Sequence, residues 1–148
     1  MAFGVNTDIL NDIIDGLGLE TKQPQTIPAL ALAYLGDCIY ELVIRTMLVE
    51  KGIAHVSELS RAAVGFVKAS AQKEMYFAIE GVLSEEETAA FKRGRNVKSS
   101  GVPKNASVSD YRIATGFEAL LGYLYVSGRS DRVIELVKLG IEGRERSI

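Results

Sequence analysis

Two acidic residues stand alone inside apolar stretches of the sequence and are the clearest candidates for chemistry. Asp37 is the only charged residue between positions 28 and 40, and Glu118 is the only one between positions 113 and 128. Both stretches are apolar nearly all round, which predicts two central helices. Burying an ionised carboxylate without a partner is costly, so each acid is expected to pair with a cation, share a proton or bind a metal.

Glycines beside both acids indicate where the two helices meet. Gly36 precedes Asp37, whereas Gly116 and Gly122 flank Glu118. A glycine inside a helix costs about 1 kcal/mol relative to alanine, and a close helix crossing would explain that cost. If the helices cross here, the two carboxylates meet and need a shared proton or cation. Ligands that are all oxygen favour Mg²⁺, Mn²⁺ or Ca²⁺, and Mg²⁺ typically takes one or two protein carboxylates.

An ordinary salt bridge for each acid is the simpler alternative. Asp37 would then belong to a tertiary ion pair, and Glu118 would reach Arg112 through a turn. Glu41 presents a similar choice, because it lies four residues after Asp37 and four before Arg45. It is either the partner of Arg45 in an i,i+4 ion pair or an outer acid of a metal site. The residues alone leave these alternatives open.

A basic segment, residues 92–112, lies between the two acids on a chain that is acidic overall. The 148 residues carry a net charge of −2, but this segment carries +5 and the remainder −7, which predicts a local anion site. Its Gly, Pro and Ser content predicts an exposed loop over residues 93–107. That loop has no aromatic residue, which favours a duplex backbone over stacked single strands, although a solvated charged loop is the alternative. The candidate RNA-contacting residues are Lys92, Arg93, Arg95, Asn96, Lys98, Lys104 and Arg112.

The other reactive residues exclude several chemistries. His55 is the only histidine, which excludes a multi-histidine zinc site. Cys38 is the only cysteine, which excludes an internal disulfide and fits a reducing cytoplasm. No phosphate-binding loop or dinucleotide fingerprint is present. No signal peptide or membrane-spanning stretch is evident, so we expect a cytoplasmic protein without a membrane partner.

Helix start and stop signals recur along the chain, whereas strand signals are weak. They predict an all-α, compact helical bundle, a single domain over residues 1–148 with its core at about 28–140. After a short helix that ends near Gly16, the predicted helices run from Pro28 to about Lys51, from Ser57 along one apolar stripe to Ala78, from a Ser84–Glu87 capping box to about Lys92, from Ser107 to near Gly128, and from Ser130 to Gly140 or Gly143.

Together these motifs resemble the ribonuclease III family. The segment ALAYLGDCIYELVIR, residues 31–45, is similar to the signature helix of the family's catalytic domain, and FEALLGYLY, residues 117–125, is similar to its second metal-binding helix. With the intervening KRGRN, PKN and YR motifs, the pattern resembles Mini-ribonuclease III, the short bacterial branch that has no double-stranded-RNA-binding domain. The resemblance covers about residues 28–140. Only a few residues follow Leu139, so no separate RNA-binding domain is expected.

The resemblance implies a metal-dependent endoribonuclease that cuts double-stranded RNA. Asp37 and Glu118 match the family's metal ligands and would be the catalytic residues, with Mg²⁺ as cofactor and Mn²⁺ as a substitute. Ala33 and Thr115 stand where the larger enzymes carry further acids, which leaves open whether one metal binds or two. The resemblance also implies a homodimer, hydrolysis to a 5′-phosphate and a 3′-hydroxyl, and maturation of the 23S ribosomal RNA precursor.

Two other functions compete with a nuclease. A non-catalytic, dimeric RNA-binding or ribosome-assembly module would bind duplex RNA without metal-dependent cutting. A helical adaptor without a role in RNA would show no salt-sensitive affinity for a duplex. Two isolated acids favour the nuclease, because neither alternative needs them.

Overall fold

The computed structural model describes residues 8–98 and 107–146, and its regular elements within those ranges are all helical. This confirms the predicted all-α bundle. Within the described ranges, no helix is long and apolar enough to cross a membrane. The helices are α1 (Ile9–Gly16), α2 (Ala29–Glu50), α3 (Val56–Val67), α4 (Ala69–Ile79), α5 (Glu85–Arg95), α6 (Val108–Val126) and α7 (Ser130–Arg146), with short 3-10 turns at Pro24–Thr26 and Glu80–Val82.

Helix α6 lies at the centre of the bundle. Eleven of its nineteen residues are buried, and it packs against α2, α4 and α5. It begins as the sequence predicts, because the Ser107 hydroxyl accepts a hydrogen bond from the Asp110 amide at 3.0 Å. Phe117 and Leu120 are fully buried, and burying side chains of this size stabilises a fold by about 1.5–3 kcal/mol each. The apolar side chains of α6 therefore anchor the helix that carries Glu118 in the core of the bundle.

Helices α2 and α6 cross at almost backbone contact. A Cβ atom added to Gly36 would overlap the backbone carbonyl group of Glu118, and one added to Gly122 would overlap the carbonyl oxygen of Leu32. Each glycine thus admits the backbone of the other helix where any side chain would collide. The crossing places Asp37, the next residue along α2, beside Glu118.

Helix α5 begins at the predicted capping box but extends beyond its predicted end at Lys92. The Ser84 hydroxyl accepts from the Glu87 amide at 3.1 Å, and the Glu87 carboxylate accepts from the Ser84 amide at 2.9 Å. The helix continues through Gly94 to Arg95 because Gly94 packs closely on α6, where its Cβ would stand 3.0 Å from the Cα of Gly116. The prediction that an exposed loop begins at residue 93 is therefore wrong for residues 93–95.

The single helix predicted from Ser57 to Ala78 is in fact two helices, α3 and α4. His55 occupies the N-cap position of α3, so the predicted cap at Ser57 is wrong. The helix is interrupted at Lys68, whose backbone is extended. Side chains from three other segments satisfy the last carbonyls of α3: Arg144 Nη2 donates to Gly65 O at 3.2 Å, Tyr40 Oη to Phe66 O at 2.8 Å, and Gln72 Nε2 to Val67 O at 2.8 Å.

Helix α7 also continues past its predicted end. Gly140 and Gly143, the predicted ends, lie inside the helix where α7 packs on α4. A Cβ on Gly140 would stand 2.6 Å from the terminal methyl of Met75. These glycines permit a close helix contact and do not end the helix. Arg132 fixes the other end of α7 to α5 through an ion pair with Glu87 at 2.8 Å.

Candidate metal centre

The α2–α6 crossing brings the two isolated acids together. The Asp37 carboxyl group lies close enough to Glu118 to act on it through its charge and through a side-chain hydrogen bond. Glu41, one turn further along α2, adds a third negative charge near Glu118. Three acids on two crossing helices therefore define a small electronegative site, which we call the candidate metal centre.

The two principal acids differ in their exposure to solvent. Asp37 is exposed, so the expectation that both acids are buried in apolar helices is wrong for Asp37. Helix α2 leaves one face uncovered, and composition cannot distinguish such a face from a buried one. Glu118 is partly buried. Burial and the neighbouring Asp37 charge raise the pKa of Glu118 to about 8, against an opposing hydrogen bond from Gln72.

No cationic side chain of residues 8–98 or 107–146 pairs with either acid. The ion pairs in these ranges include neither Asp37 nor Glu118, and Glu118 does not pair with Arg112. Glu41 does accept from Arg45 Nη2 at 3.4 Å, so the i,i+4 pair forms while Glu41 still acts on Glu118. No positively charged side chain among the described residues therefore offsets the repulsion between Asp37 and Glu118.

This donor set fits a hard divalent cation that keeps part of its hydration shell. Within the described ranges there is no group of three or more Asp, Glu, His or Cys side chains arranged to hold an ion. Two protein carboxylates suffice for Mg²⁺, which completes six-fold coordination with water and substrate phosphate oxygens. A structural zinc site would instead require four protein ligands, mainly cysteine and histidine.

Gln72, on α4, is a site residue that sequence reasoning missed. Its Nε2 donates to Glu118 Oε2 at 3.3 Å and to the Val67 carbonyl at 2.8 Å. The side chain is buried with Met75, Tyr76 and Ile79. These four positions follow the spacing of one helix face, so a glutamine on an otherwise apolar stripe is the signal that could have revealed it.

The raised pKa of Glu118 predicts a pH-dependent stability for the metal-free protein. Between its usual value of 4.5 and about 8, the folded state retains a proton that the unfolded chain has released, so the free energy of unfolding falls as pH rises through this window. Glu118→Gln removes the titration. We expect the melting temperature of this variant, relative to that of the wild type, to rise between pH 5 and pH 8.5.

The matched control for this measurement is Glu50→Gln, which changes an exposed carboxyl at the end of α2. Thermal melts in the presence of a chelator provide the comparison. The control should follow the wild type at every pH. A constant difference between Glu118→Gln and the wild type across the range would show that Glu118 does not titrate within it.

Three of the predicted RNA-contacting residues border one cleft of about 350 Å³ between the end of α5 and the start of α6. These residues are Arg95, Asn96 and Arg112, and we call this feature the basic cleft. The Arg95 guanidinium lies 5.6 Å from the Phe91 ring centroid, and its Nε donates to Asn96 Oδ1 at 3.1 Å. Arg112 is exposed. Phe91 and Asn96 thus hold Arg95 in place, and the cleft presents two positive groups, Arg95 and Arg112.

The other predicted RNA-contacting residues are dispersed. Arg93 Nη2 donates to the Ile27 carbonyl at 2.9 Å, so this arginine is engaged with the segment before α2. Lys92 is exposed beside a second cleft lined by Leu83 and Glu85. Lys98 is exposed after the end of α5, and Lys104 lies outside the described residues.

Comparison with protein families identifies the class that this fold and site define. The Ribonuclease III domain matches residues 30–129, which include both acids and the basic segment. The chain therefore belongs to the ribonuclease III family, a family of endoribonucleases that cut double-stranded RNA and generally use a divalent metal. As a member of this family the chain is a nuclease of the hydrolase class.

Within this family the chain is similar to proteins named Mini-ribonuclease 3. The relative from Symbiobacterium thermophilum is 42% identical over 128 residues, which cover 86% of this chain and 98% of the relative. The relative from Clostridium tetani is 47% identical over 129 residues, or 86% of this chain and 85% of the relative. A crystal structure of a Fusobacterium nucleatum protein superposes with a TM-score of 0.74 at 30% identity, covering 84% of this chain and 99% of that chain.

Proposed function

We propose that the chain is a Mg²⁺-dependent endoribonuclease, with Mn²⁺ able to substitute, whose metal ligands and catalytic residues are Asp37 and Glu118. The observation that carries the proposal is the meeting of these two carboxylates across the α2–α6 crossing without a described counter-charge. We further propose that residues 1–148 act as a single catalytic domain that hydrolyses a phosphodiester to a 5′-phosphate and a 3′-hydroxyl.

The acids of the site differ in their exposure to solvent, and their proposed roles differ accordingly. Asp37 is exposed and offers its carboxylate to an ion at the surface where a duplex can approach. Glu118 is partly buried and held by Gln72, so it supplies a fixed second ligand. Glu41 adds negative charge from the next turn of α2. When bound, a divalent ion lowers the pKa of a coordinated water and offsets charge on the scissile phosphate.

Incubation of the purified protein with a long RNA duplex tests this function. Cleavage is expected with Mg²⁺ or Mn²⁺ and not with a chelator. The products should ligate to a labelled RNA without prior phosphorylation, because ligation requires a 5′-phosphate. A single-stranded RNA of the same sequence is the matched control and should remain intact. Duplex binding without cutting would favour the non-catalytic RNA-binding module, and absence of both would favour a helical adaptor.

The basic cleft is proposed as the surface that binds the phosphate backbone. Removing the charge at one phosphate-binding position should lower the slope of log affinity against log salt by about 1. The double variant Arg95→Gln/Arg112→Gln should therefore weaken duplex binding and reduce this slope by about 2. Fluorescence anisotropy with a labelled duplex at several salt concentrations measures both quantities.

The matched control for the basic cleft is Lys138→Gln. Lys138 is exposed on α7 and forms an ion pair with Glu142. Its substitution should leave the salt slope at the wild-type value. If the arginine double variant keeps that value too, the RNA surface lies elsewhere, and Lys92, Lys98 and Lys104 become the candidates to substitute next.

We propose that the uncovered face of α2 pairs two copies of the chain. Leu30, Tyr34, Cys38 and Leu42 recur every fourth residue and are all exposed, with Tyr34 81% accessible. A continuous apolar stripe of this kind marks an interaction surface. Asp37 adjoins the stripe, so pairing there would set two candidate metal centres on one duplex-binding surface.

Substitution of Tyr34 by glutamate tests the pairing. Tyr34→Glu places a charge in the stripe and should convert a dimer to a monomer in sedimentation velocity experiments. Phe77→Glu is the control, because Phe77 is also an exposed aromatic residue, 51% accessible, but lies on α4. A wild-type protein that sediments as a monomer, or a Tyr34→Glu variant that remains dimeric, would contradict the proposed surface.

The proposed cellular substrate is the 23S ribosomal RNA precursor, processed in the cytoplasm. This proposal rests on the resemblance to Mini-ribonuclease III. Loss of the protein should leave extended 23S ends, which primer extension on total RNA detects. Mature ends in such a strain would assign the nuclease to a different duplex.

A further inference from the structure

Gln72 is a buried polar side chain at the candidate metal centre, and its hydrogen bonds are incomplete. It is 3% exposed. Its Nε2 donates to Glu118 Oε2 and to the Val67 carbonyl, whereas its Oε1 is buried and has no hydrogen-bond partner among the described residues. The Gln72 amide nitrogen is therefore fully used as a donor, whereas its oxygen Oε1 is left unsatisfied.

Folding accounts for one of the two hydrogen bonds that Gln72 donates, the bond that satisfies the Val67 carbonyl at the end of α3. A buried acceptor without a partner costs about 1–3 kcal/mol. Methionine has a similar length and would continue the apolar stripe formed with Met75, Tyr76 and Ile79 without the unpartnered Oε1, but it would leave the Val67 carbonyl without its donor. The second hydrogen bond, to Glu118, satisfies no helix end, and a polar side chain that breaks an apolar stripe in this way is typical of a functional site.

The orientation of the Gln72 amide is fixed by a group that can only accept. Since the Val67 carbonyl has no hydrogen to donate, Nε2 must face it, and the same nitrogen then directs its remaining hydrogen at Glu118. Flipping the amide would set Oε1 against the Val67 oxygen, which has no hydrogen to donate. The Val67 carbonyl thus locks the donor that holds Oε2 of Glu118 in place.

We propose that Gln72 is a positioning residue that fixes the Glu118 carboxylate for metal binding. The inference rests on the proposed metal site and adds to it a residue on a third helix, α4. Hydrogen-bond partners of metal ligands orient the ligand, and their loss typically lowers metal affinity by about 10–100-fold. The amide also satisfies the Val67 carbonyl, so its removal should separate a large loss of metal affinity from a small loss of stability.

Gln72→Met tests this separation. Mn²⁺ affinity is measured by electron paramagnetic resonance titration of the RNA-free protein, and stability by urea unfolding in a chelator. We expect Mn²⁺ binding about tenfold weaker or more, with an unfolding midpoint lowered no further than that of Tyr40→Phe, which also leaves a carbonyl at the end of α3 without its donor. The matched control is Tyr40→Phe, which removes a hydrogen bond to the adjacent Phe66 carbonyl and leaves the Gln72–Glu118 bond in place. Its Mn²⁺ affinity should be that of the wild type.

Four results would overturn the proposal. Equal Mn²⁺ affinity in Gln72→Met and wild type would show that Glu118 needs no such support. Loss of fold in Gln72→Met, repeated in Gln72→Leu, would show that the amide serves folding. Equal weakening by Tyr40→Phe would assign the effect to the end of α3. Absence of Mn²⁺ binding in the wild type itself would overturn the metal site along with this proposal, which distinguishes that failure from the first three.

Discussion

Glu118→Gln and Asp37→Asn should each lower the rate of duplex RNA cleavage in Mg²⁺ by about a thousandfold. A bound divalent ion contributes several kcal/mol of transition-state stabilisation, and each 1.4 kcal/mol corresponds to about a tenfold change in rate. Both substitutions keep the size of the side chain but remove one of the two carboxylates that meet at the crossing. Cleavage of an end-labelled duplex under single-turnover conditions measures the effect.

Two controls separate this loss from unfolding and from weaker RNA binding. Glu58→Gln changes an exposed carboxyl on α3 and should cut at the wild-type rate. The Asp37→Asn and Glu118→Gln variants should still bind the duplex, since removing a negative charge near the phosphates does not oppose binding. Glu41→Gln should cause a smaller loss, because Glu41 acts on Glu118 only through its charge. Rates within tenfold of wild type for both Asp37→Asn and Glu118→Gln would eliminate the proposed mechanism.

The second large effect is expected on stability, at the glycines of the α2–α6 crossing. In Gly36→Ala the new methyl group meets the backbone of Glu118, which cannot move without shifting the whole of α6. Overpacking of this kind costs about 3 kcal/mol. We expect a loss of this size in the free energy of unfolding, measured by urea denaturation, together with weaker Mn²⁺ binding because the two acids are forced apart.

Gly65→Ala provides the matched control, since it makes the same substitution inside α3. A Cβ at Gly65 would meet nothing within 4 Å, and its backbone is helical. Alanine there should stabilise the protein by about 0.5–1 kcal/mol through its better helix propensity. If Gly36→Ala were also neutral or stabilising, the crossing would have to be wider than the structure shows.

The helix starts could be predicted from the sequence where a local side chain satisfies the first backbone amides. The capping box at Ser84 and the cap at Ser107 are of this kind, because each depends on residues only three positions apart. Helix ends are harder to predict. Gly94, Gly140 and Gly143 have the sequence signature of a helix end, but in the structure each permits close packing on another helix.

The break between α3 and α4 could not be predicted for a related reason. The apolar spacing continues on both sides of Lys68, so local pattern favours one helix. The break is stabilised by donors distant in sequence, Tyr40 and Arg144, which satisfy carbonyls that an unbroken helix would have satisfied itself. Tertiary structure therefore overrides a correct local period.

The meeting of Asp37 and Glu118 was predictable from the sequence, whereas the residues around them were not. Two lone charges flanked by helix glycines are a local signal of a helix crossing. The structure explains the signal, because Gly36 and Gly122 admit the backbone of the opposite helix. The exposure of Asp37 depends on which face of α2 remains uncovered. The separation of Arg93 from the basic cleft depends on its bond to Ile27, which lies 66 positions away.

The three carbonyls at the end of α3 have a further consequence for local opening. Their donors come from α2, α4 and α7, so releasing any one of these helices strands a carbonyl at the same turn. The turn and the end of α7 should therefore exchange their amide hydrogens as one cooperative unit. A fusion or truncation that loosens Arg144 would then loosen the turn that holds Gln72 and weaken its hydrogen bond to Glu118, although both proposed metal ligands remained in the chain.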